Sequence, residues 1–334
     1  MKKAVVLTIS LSAILILFAA FALLLISCPQ KNAVGKVIKI ESGASVGEVA
    51  VMLKKEGIIR SQSLFRIFLR LSGSDKKIQA GTYKFKPGIG LAEIIDMLRN
   101  GKTATVQVTI PEGSTTRAIA EILDKAGVCK KQEFILSAGN TSLAKNAGLP
   151  AGNFEGFLFP DTYFFPENEN PETIILAMSQ NFFMRLARIT GGLEVKPREL
   201  FDKVVLASIV EREYRVPSEA KLIASVFMNR LKIGMALQSC ATVVYVITEK
   251  LGKPHPSVVH YTDLAIKDPY NTYLHRGLTP GPISNPGETA LRAVFNPQKS
   301  DYLYFRLMDS SDGSHKFSKT FEEHVQESIP VKGF

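Results

Sequence analysis

The chain has 334 residues, enough for two or more domains, with 41 Lys and Arg against 31 Asp and Glu. The resulting charge of +10 is scattered along the chain, which gives mild attraction to acidic polymers or anionic lipid. Three cysteines (Cys28, Cys129, Cys240) supply no disulfide framework, spacing gives no reason for a Cys129–Cys240 bridge, and no CxxC or His-rich spacing offers a metal site.

After Lys2-Lys3 the chain carries no charge from Ala4 to Cys28. A helix of roughly 20 apolar residues crosses a bilayer, so residues 4–28 are expected to form a single-pass transmembrane anchor. The run exceeds the apolar core of a cleaved signal peptide, about 7–15 residues. The two lysines favour a cytoplasmic end at 1–3 and put the body outside, where nucleic acid is a poor partner. Leu25-Ile26-Ser27-Cys28 also resembles a lipobox, and either reading tethers the body to a membrane.

Residues 37–135 repeat a unit. Gly43-Ala44-Ser45, Val49-Ala50, Leu53 and Gly57 correspond to Gly113-Ser114-Thr115, Ile119-Ala120, Leu123 and Gly127. A weaker copy runs from Pro87-Gly88 through Ile94-Ile95 and Leu98 to Gly101. Each copy reads as a strand, a Gly turn, a Ser or Thr N-cap where present, and a short amphipathic helix ended by Gly. The region 36–150 is therefore expected to be small α+β modules. Such units resemble LysM-like modules, which bind glycans containing N-acetylglucosamine. Tyr83 and Phe85 could stack on sugar rings, or could be strand core.

The aromatic, proline-containing segment 153–166 argues against a helix and for a packed connector. Its Glu155, Asp161 and Thr162 are either site residues or partners for buried backbone. A helix is expected at about 171–190, followed by one over 201–214 that is apolar almost all round. At the helical angle Glu211 lies on the line of Leu200, Val204 and Ala207, while Asp202 and Glu213 fall on the other side, where solvent would suit them. A carboxylate among aliphatic groups loses hydration and tends to hold a proton, as a general acid must. The same pattern suits a buried Glu paired with a Lys or Arg, and the stripe alone does not choose.

The next helix should start near Ser218 and carries Asn229 and Arg230 beside an apolar stripe, for binding hydroxyls or for a structural pair. Gln238, Tyr245, Tyr270, Asn271 and Tyr273 follow, then the turn-rich run Gly277–Gly287. Aromatic faces and amides near an apolar acid suit a sugar polymer.

In order, EGFLFPDTY at 155–163, LASIVERE at 206–213, SVFMNRL at 225–231, GMALQS at 234–239, TVVY at 242–245, YNTY at 270–273, GLTPGPISNPG at 277–287 and YLYF at 302–305 resemble the MltG (YceG-like) endolytic murein transglycosylase family. The likeness covers nearly the whole chain. It implies a mixed α/β catalytic domain at 151–334, built around the Glu-bearing helix, and no cofactor. It further implies cleavage of the β-1,4 bond after N-acetylmuramic acid in peptidoglycan glycan strands, at the outer side of a bacterial cytoplasmic membrane and near murein synthases. Glu211 matches the family's catalytic glutamate; Asn229, Arg230, Gln238, Tyr245, Tyr270, Asn271 and Tyr273 would position the glycan. The chain departs from the family at 238–241, where Gln-Ser-Cys-Ala replaces Gln-Thr-Asp-Pro, and this makes Glu211 the lone clear acid of the site. The rival readings are a tethered, non-catalytic glycan-binding scaffold and a hydrolase that uses Glu211 with Glu155 or Asp161.

Overall fold

The computed structural model describes residues 36–73, 78–101, 105–308 and 312–326. The expected anchor at 4–28 lies outside these residues, and among the described residues no helix is long and apolar enough to cross a membrane. The protein is of mixed α+β type, with helices and three two-stranded sheets among the described residues. It divides into two compact units at Val106/Gln107.

In the first unit β1 (Lys36–Ile40) pairs antiparallel with β2 (Gly81–Phe85), Lys36 opposite Phe85 and Ile40 opposite Gly81. Three helices, α1 (Val46–Lys55), α2 (Gln62–Leu71) and α3 (Leu91–Asn100), bury their apolar stripes against the inner face of this ribbon. Ile38 and Ile40 alternate inward with Val37 and Lys39 outward, as a half-buried strand requires. Each expected turn has its glycine in the left-handed region: Gly43 at φ 84° and Gly88 at φ 75° before the helices, Gly57 at φ 73° and Gly101 at φ 63° after them. Ser45 and Glu48 form a reciprocal capping box on α1. Tyr83 and Phe85 are 0% and 1% exposed, so these two rings pack the core and offer no face to a sugar. The Tyr83 hydroxyl donates to the Gln79 carbonyl at 2.7 Å.

The second unit begins with the remaining copy of the repeat, β3 (Val106–Thr109), Gly113 at φ 74°, and α4 (Thr116–Lys125) capped by Thr115. β3 pairs with β4 (Thr162–Phe165), and Ile110 N–H donates to the Asp161 carbonyl at 2.9 Å. This pairing ties the copy to the aromatic connector, so the boundary falls near 106 rather than near 150. After α5 (Lys131–Ala138) and α6 (Thr141–Asn146) comes α7 (Pro171–Thr190), with Pro171 at its first position and Gly191 closing it at φ 65°. The core of the unit is α8 (Pro197–Glu211), α9 (Ala220–Lys232) and α11 (Glu288–Phe295), each packed against the other two. Every residue of α8 from Val204 to Val210 is buried. α10 (Cys240–Tyr245) runs into a π turn at Val246–Lys250, and a hairpin of β5 (Tyr304–Leu307) and β6 (His315–Ser318) precedes α12 (Phe321–Gln326).

Candidate active site

α8 delivers Glu211 by ending on it. The helix starts at Pro197, carries Leu200, Val204 and Ala207 on one buried line, and closes at Arg212. The expectation that it runs on to Tyr214 is corrected: the chain turns after Glu211, and the Tyr214 hydroxyl comes back to donate to Glu211 Oε1 at 3.1 Å. Glu211 Oε2 accepts the Gly287 N–H at 2.8 Å. Burial pushes the Glu211 carboxyl up to about 7. The Gly287 amide works against this, the charge of Glu112 adds to it, and Tyr214 and Arg212 oppose it. The negative end of the α8 dipole falls on the same carboxyl and also disfavours its charge. A group poised near neutrality can give up a proton and take one back, as acid and base chemistry requires. Tyr214 can follow the change, because its hydroxyl also reaches Thr289 on α11.

The Gly277–Gly287 run sets the position of the Gly287 donor. Ser208, in the last turn of α8, accepts the Ile283 N–H at 3.0 Å on Oγ and the Ser284 hydroxyl at 3.1 Å on its carbonyl. Asn285 is fully buried and fully bonded. Its Oδ1 takes the Leu158 N–H at 2.8 Å, its Nδ2 reaches the Ser114 carbonyl and Glu155 Oε1, and its backbone exchanges two hydrogen bonds with Gly113 and Ser114. Pro282 lies so close over Gly156 that a β-carbon there would stand 2.5 Å from Pro282 Cγ. Gly156 therefore has to be glycine, both for this approach and for its φ of 87°.

The turn after β3 closes the site from the other side. A β-carbon on Gly113 would meet Glu211 Cγ at 3.5 Å and Arg212 Cδ at 3.4 Å, and Arg212 Nη1 donates to the Gly113 carbonyl at 3.1 Å. Glu112 extends its carboxyl over Gly287, where a β-carbon would stand 1.9 Å from Glu112 Oε1. The expectation that Glu211 stands alone is thus corrected: Glu112 is a second carboxylate at its edge. Glu112 and Glu211 are distant in sequence, so periodicity could not join them.

Glu213 also departs from expectation. It accepts a hydrogen bond from the Ser239 hydroxyl and one from the Ala241 amide, so it caps α10 instead of facing water. Burial raises its carboxyl, with the Ser239 bond and the charges of His315 and Arg230 opposing.

The residues expected to position glycan separate into three groups. Asn229 gives its amide to the carbonyls of Ser300 and Tyr302 at 2.8 and 3.0 Å. Arg230 is buried and donates to Leu303 and Leu237 carbonyls at 2.6 and 2.7 Å, and Asn271, fully buried, donates to Leu264 and Ile266. These three side chains bond backbone carbonyls and hold loops in place, the structural alternative that the sequence left open for Asn229 and Arg230. The rings of Tyr245 and Tyr270 pack at a tilt of 34° with 5.0 Å between centroids, and Lys250 Nζ lies 4.8 Å from the Tyr270 ring centroid. Burial raises both hydroxyls, and the charge of Glu155 adds to the effect. Gln238 is exposed with φ 50° and donates its N–H to the Thr272 carbonyl at 3.2 Å; the neighbouring Tyr273 and Cys240 bring hydroxyl and Sγ 3.0 Å apart. Cys129 and Cys240 are both free.

Neither carboxylate of the connector pairs with Glu211 by hydrogen bonding. Glu155 accepts Thr116 N–H on both oxygens at 3.1 Å and Asn285 Nδ2 at 3.0 Å, and burial outweighs these bonds and lifts it to about 7. Burial also works to raise Asp161, but bonds from Asn181, the Thr162 amide and Arg185 prevail and hold it below the usual range.

The sequence model of the YceG-like family matches residues 38–328. A Bacillus subtilis (strain 168) relative named endolytic murein transglycosylase is 36% identical over 306 residues, which is 86% of this chain and 82% of that one. A relative of the same name from Streptococcus pneumoniae serotype 2 is 28% identical over 317 residues, 86% of this chain but only 56% of its own length. The crystal structure of a yceG-like protein from Listeria monocytogenes, 31% identical, superposes with a TM-score of 0.60 over 89% of this chain and all of that one. By the span of the family match and the identity to the Bacillus relative, this chain belongs to the YceG-like family.

Proposed function

We propose that the protein is an endolytic peptidoglycan lytic transglycosylase in which Glu211 is general acid and then general base. The observation that carries this reading is the Glu211 carboxyl, lifted to about 7 and held by Gly287 and Tyr214 at the edge of a rigid loop. The name of the Bacillus relative supports the reaction class. Glu211 protonates the oxygen that leaves C1 of N-acetylmuramic acid, and the C1–O bond breaks. The C6 hydroxyl of the same sugar attacks C1, its proton passes to Glu211, and a 1,6-anhydro end forms. The enzyme returns to its starting protonation state and no water is consumed. The attack is intramolecular, so orientation is largely prepaid by the substrate.

Tyr270, Tyr273 and Gln238 are the residues left to contact glycan, whereas Tyr245 is buried against Tyr270 and supports that ring. The apolar run at 4–28 supports a single-pass anchor in the bacterial cytoplasmic membrane, with the body on its outer side and murein synthases as neighbours. The strand–turn–helix units of the first unit support a LysM-like glycan-binding role ahead of a catalytic domain.

Glu211→Gln keeps the size and one hydrogen-bond acceptor, enough for the Gly287 N–H, but cannot act as an acid. It is expected to lose at least about a hundredfold in activity on purified murein while folding normally. Mass spectrometry of the products decides among the readings: anhydro ends support the proposal, reducing ends mean a hydrolase, and an inactive wild type means a scaffold. Release of anhydro-muropeptides by Glu211→Gln at the wild-type rate would overturn the assignment.

A further inference from the structure

We infer that Glu112 is a positioning residue for the proton on Glu211, its carboxylate facing that group across Gly287 and tuning it to serve both steps. The inference rests on the reading of Glu211 as acid and base. It starts from a chemical difficulty: a single carboxylate that must first be an acid and then a base works best when its affinity for the proton is high enough to hold it and low enough to release it. Burial provides part of that affinity. It cannot provide all of it, because the site must open to a glycan strand and burial changes with occupancy.

The groups around Glu211 divide cleanly. From α11 come only uncharged donors, the Gly287 N–H and the Thr289 hydroxyl that reaches Tyr214. From the end of α8 and the turn after it come Arg212 and Tyr214. From the turn after β3 comes Glu112. Arg212 would favour the ionised carboxylate, but its guanidinium is anchored on the Gly113 carbonyl at 3.1 Å. Glu112 is the negative counterweight, and the same turn holds both.

Gly287 makes this arrangement possible. Its N–H binds Glu211 Oε2 at 2.8 Å, while any side chain on its α-carbon would run into the Glu112 carboxyl, 1.9 Å from Oε1 for a β-carbon. Its own φ is −80°, open to any residue, so backbone conformation does not demand glycine here. The bare α-carbon leaves room for the second carboxylate. Glu112 is exposed and, among the described residues, forms no ion pair with α11, whose Glu288 is engaged by Arg185 and Arg292. When the glycosidic oxygen has taken the proton, the charge of Glu112 makes the newly formed Glu211 carboxylate a stronger base toward the C6 hydroxyl.

The test is a titration of Glu211 by carboxyl carbon-13 NMR in the intact protein without substrate, assigned by loss of the signal in Glu211→Gln. The pH dependence of kcat/KM on purified glycan strands is measured alongside. Glu112→Gln is expected to move the Glu211 midpoint and the alkaline limb of the profile to lower pH by roughly one unit, with Glu112→Asp restoring most of the shift. Gly287→Ala, which keeps the amide donor but pushes the Glu112 carboxyl aside, should move the midpoint in the same direction. An unmoved midpoint in Glu112→Gln would overturn the inference, as would a uniform loss of activity at every pH with no movement of the limb. Because Glu112 lies on the surface, the variant is expected to fold; a thermal melt checks this, and the Asp variant carries the test if it does not. Activity retained in Glu211→Gln would sink the parent reading instead, so the two failures are distinct.

Discussion

Two copies of one strand–turn–helix unit, residues 36–57 and 106–127, have been put to different uses. In the first copy a β-carbon on Gly43 would meet nothing within 4 Å, whereas in the second the equivalent Gly113 packs on Glu211 and Arg212. The helix caps differ as well. α1 satisfies its first amides from within, Ser45 and Glu48 bonding each other's backbone N–H at 3.2 and 2.7 Å. In α4 the residue that would complete such a box is Ala118, and Glu155 from the distant connector supplies the carboxylate to Thr116 instead. A self-contained unit needs only its own caps to fold. A unit with its turn and cap exposed to other segments can fix those segments in place, and here that fixes the site.

The largest effect should come from exchanging the turn residues. Ser42 of the first copy stands where the second has Glu112. Ser42→Glu alone is expected to leave murein cleavage unchanged, since its turn faces open space. Glu112→Ser should cut kcat/KM about tenfold at pH 8, and adding Ser42→Glu should restore nothing. Rescue by Ser42→Glu would erase the distinction between the copies.

Next is the foreign cap. Glu155 sits at about 7 in the folded protein against an ordinary 4.5, so the native state holds a proton that the unfolded chain has released between those values. Its contribution is therefore intact below about pH 4.5 and is lost as pH rises to about 7, by up to ~3 kcal/mol. Glu155→Gln keeps an acceptor for Thr116 and Asn285 but does not titrate. Urea unfolding at pH 4.5, 6 and 8 should show a flatter pH dependence in this variant, with the variant gaining on the wild type as pH rises. The remaining slope belongs to Glu211 and Glu213, which are raised by the same cause. Parallel curves for the two proteins would mean that Glu155 is solvated and that the second copy is capped no differently from the first.

The two copies were legible in the sequence because their signals are local: a left-handed glycine, a hydroxyl cap and an apolar stripe each act within a few residues. α7 was legible from Pro171 and the glycine at 191 for the same reason. Glu211 could be singled out because α8 keeps the 3.6-residue period up to that residue. Glu213 could not, because the helix stops at Glu211 and the period no longer applies two residues later. Its partners, Ser239 and Ala241, lie on another element. Asn229 and Arg230 were visible as polar residues beside an apolar stripe, but the carbonyls of Ser300, Tyr302 and Leu303 that take their protons are more than seventy residues away. Glu112 was hidden in the same way, inside a turn read only for its glycine.

The smallest effect should come from the first copy's own cap. Glu48 is exposed and lies below the usual carboxylate range, chiefly because the Ser45 backbone and side chain bond its ionised form. The sign is opposite to that of Glu155: the contribution is present above the unfolded value and fades as pH falls through the folded one. Glu48→Gln should therefore speed amide exchange in the first turn of α1 slightly at pH 7 and leave it unchanged in acid, with murein cleavage unaffected. Amide hydrogen exchange followed by NMR on the two helix starts, Ser45 to Glu48 and Thr115 to Ala118, reads both caps in one sample. If Glu48→Gln altered exchange at Thr116, or Glu155→Gln altered it at Glu48, the copies would be coupled and neither cap would be private to its own helix. Opposite pH trends confined to each site would mean that one fold motif carries two electrostatic designs, with only the second linked to the chemistry at Glu211.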